Sequence, residues 1–173
     1  MLNIFKNKLG NGKAITILFI FTIIIYGTMA FILKDINMKE FINMQITLNK
    51  DTFVKIINSW DNNQILEYHN HFYLDFLYLI SYSLLMFSVV SRFYIHAKVK
   101  TRGTIFLILP FIIAFFDLIE NVFHIYFITV NYKMPAYLVM ISGICSIQKW
   151  VFLFVELYVI AVLFFKLTIL QKR

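Results

Sequence analysis

The sequence predicts an all-α integral membrane protein, a four-helix bundle with a short extracytoplasmic amphipathic helical cap. Three observations predict it. Hydrophobic residues make up 61% of the 173-residue chain and charged residues only 14%, where a soluble domain is about half apolar and about a quarter charged. Four separated apolar runs each reach the roughly 20 residues that a helix needs to cross the hydrocarbon layer. Strands of about ten alternating residues, the barrel signature, do not occur. Backbone within lipid must satisfy its own hydrogen bonds, so runs of this kind cross as helices.

The four predicted spans cover residues 14–33, 71–94, 104–130 and 136–165, within a single membrane domain, 1–173. The first carries no charge. Its apolar run is about twice the length of a signal-peptide core and continues past Thr28-Met29-Ala30, a poor cleavage site, so it reads as a retained anchor. Lys and Arg in short loops set orientation. Lys6, Lys8 and Lys13 precede the first span, Arg92, Lys98, Lys100 and Arg102 separate the second from the third, and Lys166, Lys172 and Arg173 follow the fourth. On the other side, Lys34, Lys39, Lys50, Lys55 and Lys133 are diluted by acids. Both termini are therefore expected in the cytoplasm of a cell-membrane protein. The net charge of +7 follows from this topology and the anionic inner leaflet, not from a nucleic-acid partner. Membrane lipids are the expected partners; no protein partner can be read.

The outer segment, 34–70, has two patterns. Met44, Ile46 and Leu48 alternate with polar residues and predict an extended piece. Phe53, Ile56, Ile57 and Trp60 fall at i, i+3, i+4 and i+7, one face of a short amphipathic helix. Asp51 or Thr52 is the predicted cap, and Asp61-Asn62-Asn63 a turn. Trp60 and Tyr68 are suited to the headgroup level. The segment reads as a lid on the bundle, or as a gate or docking surface for a lipid.

Function points inward, because polar groups inside a bilayer are costly and gather where they face one another or water. Asp117, Glu120, Asn121 and His124 share one stripe of the third span. His71, Asp75, Tyr78 and Tyr82 repeat the spacing on the second. Ser142, Ser146, Lys149 and Glu156 do so on the fourth, with Cys145 and Gln148 alongside. Three stripes can meet in one polar centre made of Asp75, Asp117, Glu120, Asn121, His124 and Lys149. Lys149 is expected to pair with Asp117 or Glu120, His124 to hydrogen-bond, Asn121 to join helices, and Glu156 to lack an obvious partner. Packing is assigned to Gly27, Ala114, Ser142 and Gly143, since lipid supplies no hydrophobic drive between helices.

Several functions fit such a centre. It stabilises the bundle, or binds a small lipid-like or cationic ligand. Alternatively the chain is a small membrane-embedded enzyme acting on a lipid, with carboxyl groups as acid and base. A divalent metal is a candidate cofactor, with Asp117, Glu120, His124, His71 and Asp75 as hard ligands. A proton or ion pathway is the third use. Cys145 is the only cysteine, which removes an internal disulfide, a thiolate zinc site and a CxxC redox centre. Walker, GxGxxG and GxSxG motifs are absent.

Leu74-Asp75-Phe76 with Tyr78 and Tyr82, Pro110, the run Phe116-Asp117-Leu118-Ile119-Glu120-Asn121, and Lys149 form a pattern over residues 40–160. It resembles an uncharacterised family of small multi-pass bacterial membrane proteins. That resemblance groups the three helices and implies no activity. Glu120, Asn121 and Trp150 are superficially similar to residues of the sterol-isomerase-like emopamil-binding fold, but their order and spacing carry over no site. The paired histidines of alkaline-ceramidase-like hydrolases are missing.

Overall fold

A computed structural model describes residues 7–96 and 105–170. Among the described residues these helices follow in order: α1 (Gly12–Ile32), α2 (Met38–Ile46), α3 (Lys50–Ser59), α4 (Asn62–His96), α5 (Ile105–Thr129) and α6 (Ala136–Leu170). Four of them, α1, α4, α5 and α6, are long and apolar enough to cross a membrane. Among the described residues there is no strand. Lys6, Lys98, Lys100, Arg102, Thr104, Lys172 and Arg173 lie outside the described residues.

The spanning helices solve their hydrogen-bond problem locally. Along α1, the hydroxyls of Thr16, Thr22 and Thr28 donate to the carbonyls of Gly12, Leu18 and Ile24, at 3.0, 2.7 and 2.9 Å. Each of these threonine hydroxyls is thus spent on the preceding turn. Phe31 is 70% exposed on α1 and Phe154 66% exposed on α6. In water such surface would drive association; against acyl chains it costs nothing. The extensive packing runs between α5 and α6, α1 and α4, and α4 and α5. Among the described residues, α1 packs mainly along α4. A Cβ on Gly12 would lie 3.5 Å from Arg92, so the start of α1 and the end of α4 share the end of the bundle away from the cap.

The outer segment is more helical than the alternation of Met44, Ile46 and Leu48 predicts. Residues 38–46 form α2 rather than an extended piece, with Phe41 and Met44 buried at i and i+3. Asn37 caps it by accepting from the amide of Lys39. The α3 helix follows the predicted amphipathic face, with Phe53, Ile57 and Trp60 buried. Its cap, however, is Asn49, which accepts from the amides of Asp51 and Thr52 at 2.7 and 3.2 Å. Asp61 is not part of a free turn. Its carboxylate receives the amides of Asn63 and Gln64 and starts α4 nine residues before the predicted span. Trp60 and Tyr68, expected at the headgroup level, are 6% and 0% exposed because α2 and α3 fold over them.

Two features hold this cap down. The indole of Trp60 donates to Glu40, 3.3 Å, joining α3 to α2. At Gly143 on α6, a Cβ would stand 2.3 Å from the Thr47 carbonyl oxygen, so the α2–α3 link rests directly on the helix backbone. Ala114 and Ser142 are buried as expected. Gly27 is not a packing position, since nothing lies within 4 Å of a Cβ built there. Between α5 and α6 the chain turns through Asn131 and Tyr132, both left-handed at φ 47° and 59°. The Tyr132 hydroxyl meets His69 at 3.2 Å, and burial pushes its phenol up to about 12.

Candidate functional site

Asp117 is the middle residue of α5. One carboxylate oxygen accepts from Lys149 of α6 at 2.9 Å, the other from the Tyr82 hydroxyl of α4 at 3.0 Å. A single side chain therefore joins three helices. Lys149 also reaches the carboxylate of Glu120, 2.7 Å from its ammonium. Glu120 is fully buried, and its Oε1 has no hydrogen-bond partner among the described residues. Removing an ion pair from water costs more than it returns unless geometry is good; here one ammonium serves two acids.

Two further hydrogen bonds join α4 to α5. Asn121 donates to Asp75. Tyr68 and His124 share a proton contact of 2.7 Å beneath the cap, where the rings of Phe53 and Phe127 pack on the imidazole. Tyr68, Asp75 and Tyr82 stand two helical turns apart, so α4 offers one polar group per two turns to the same stripe of α5. The result is a ladder of hydrogen bonds along the α4–α5 seam.

Beside the ladder lies a cavity of about 420 Å³. Its polar wall is His71, Asp75, Tyr78 and Tyr82 from α4, Asp117 from α5 and Lys149 from α6. Its apolar wall continues inward through Met86, Ile113 and Leu153, and its roof is Met38, Phe41, Ile42 and the polar Gln45 of α2. The remaining side is α1, through Tyr26, Met29, Ala30 and Leu33. Tyr26 is 57% exposed, so this side of the cavity reaches the outer surface of the bundle.

The predicted site residues thus divide. Asp75, Asp117, Lys149 and His71 face the cavity, whereas Glu120, Asn121 and His124 lie behind it as supports. The metal candidates do not fit. Among the described residues no three His, Cys, Asp or Glu side chains are grouped to hold an ion. Several of their atoms are engaged elsewhere: His124 with Tyr68, Asp117 with Tyr82 and Lys149, and one oxygen of Asp75 with Asn121. Trp150 and Tyr26 complete the cavity wall without having been singled out for it; Trp150 adjoins Lys149, and Tyr26 lies one turn beyond Thr22 in the uncharged span. Comparison with known proteins finds no matching family model, curated protein or solved structure.

Glu156 lies apart from this centre. It is fully buried, and neither oxygen has a hydrogen-bond partner among the described residues.

Proposed function

We propose that the protein is a multi-pass protein of the cell membrane, with both termini cytoplasmic, whose cavity binds one amphiphile from the bilayer. The observation that carries this reading is the cavity itself. It places ionisable and hydroxyl groups at one level and Met86, Ile113 and Leu153 at the next, which suits a polar head with an apolar chain. Small-molecule sites are mostly apolar with a few placed polar groups, and a volume of this order suits such a ligand. The exposed wall at Tyr26 and Ala30 gives entry from lipid rather than from water, because the surface around it, such as Ile23 and Phe31, is apolar. A bundle serving stability alone would need the Lys149 pair but no space beside it.

The test is lipid mass spectrometry on protein purified in a mild detergent. A ligand retained at roughly one per chain is expected, and Ala30→Trp, which fills the α1 side of the cavity, should remove it. Retention no greater than that of an unrelated four-span protein would end this reading.

A further inference from the structure

The head group of the bound amphiphile is open to assignment from the acceptors that the cavity wall leaves unpaired. Lys149, the cation on the wall, has both its neighbouring carboxylates within 2.9 Å. Its charge is already neutralised, so an anionic head gains little there and meets Asp117 and Asp75 as well. Asp75 is different. One oxygen accepts from Asn121, the other has no partner among the described residues, and no cation there pairs with it.

A second acceptor stands one turn away. His71 is 3% exposed and lines the same cavity. Its Nδ1 lies against the backbone carbonyl of Tyr68 and must therefore donate to it. That contact sets the tautomer and leaves Nε2 as an acceptor, with no partner among the described residues. An acceptor on the cavity wall without a protein donor is open to a ligand N–H. Around both stand aromatic faces. Tyr78 packs between Tyr26 and Tyr82, with ring centroids 6.1 and 5.2 Å away, and all three line the cavity with Trp150. Such faces attract cations.

We infer that the head group is a protonated amine, whose N–H groups donate to the free oxygen of Asp75 and to Nε2 of His71 while the tyrosine rings flank its charge; the Trp150 ring already faces the Lys149 ammonium, 5.8 Å from its centroid. This rests on the amphiphile reading above, since it names the head of the same ligand. The chain of the ligand then runs inward along Met86, Ile113 and Leu153.

Native mass spectrometry of the full-length protein, released from a maltoside detergent, separates the two ideas. The probes are dodecylamine, dodecyl phosphate and dodecanol at equal concentration. The amine is expected to bind about tenfold more tightly than either of the others, the worth of a charge-assisted hydrogen bond. Asp75→Asn and His71→Phe should each remove most of that preference, and an unchanged unfolding midpoint in detergent, followed by circular dichroism, reports that the variants are folded. If either variant fails to assemble, the other carries the test. Equal binding of amine and dodecanol, tighter binding of the phosphate, or an amine preference that survives both substitutions would overturn the head-group assignment while leaving an amphiphile site. Failure of all three probes to bind would overturn the amphiphile site itself.

Discussion

Lys149 is held by two acids on the facing helix, and the arrangement fixes what its removal does. Lys149→Met leaves Asp117 and Glu120 buried without a cation, a loss of about 3–5 kcal/mol. Unfolding in detergent, followed by near-ultraviolet circular dichroism, should show that loss, and adding Glu120→Gln in the same chain should recover part of it. A Lys149→Met protein as stable as the parent would mean that the pair is solvated. These residues were legible because periodicity alone puts Asp117, Glu120, Asn121 and His124 on one face. Their division into wall and support was not legible. It depends on which partner each finds across a helix interface, and Tyr68 finds His124 from 56 residues away.

Among the elements, the cap is where sequence and structure part. Met44, Ile46 and Leu48 alternate over too few residues to distinguish a strand from one side of a helix. Asn37 as a cap and the burial of Phe41 with Met44 decide for the helix. Asn49 and Asp61 show the same limit, since a capping side chain is recognised from the amides it receives. What seats the cap is Gly143. Gly143→Ala should lower thermal stability by about 1–3 kcal/mol, the usual cost of overpacking, because the Thr47 carbonyl is backbone and yields little. It should also expose α2 and α3 to protease. Gly27→Ala, in open space on α1, should change stability by no more than about 0.5 kcal/mol. Equal responses at the two glycines would show that the cap is not seated on α6.

At the scale of the molecule, the number and order of spans were plain from hydropathy, because about 20 apolar residues in succession have one use. The cavity was not. It exists because α1 packs along α4 and leaves its other side across from α6, and no property of the α1 sequence, uncharged from Ala14 onward, announces which neighbour it will choose. The same uniformity lets α1 serve as a wall with lipid behind it.

The shared ammonium has a consequence for biosynthesis. Asp117 and Glu120 emerge from the ribosome before Lys149, and a lone helix bearing two acids at mid-depth enters the bilayer at a cost of about 2.5–3.5 kcal/mol for each ionised group. Insertion of α5 is therefore expected to wait for α6, the two leaving the translocon as a hairpin with the charges already matched. Glycosylation acceptor sites placed in the 130–135 turn should be modified efficiently in the full chain and poorly in one truncated at residue 148. Equal modification of both would mean that the acids cross the membrane unaided.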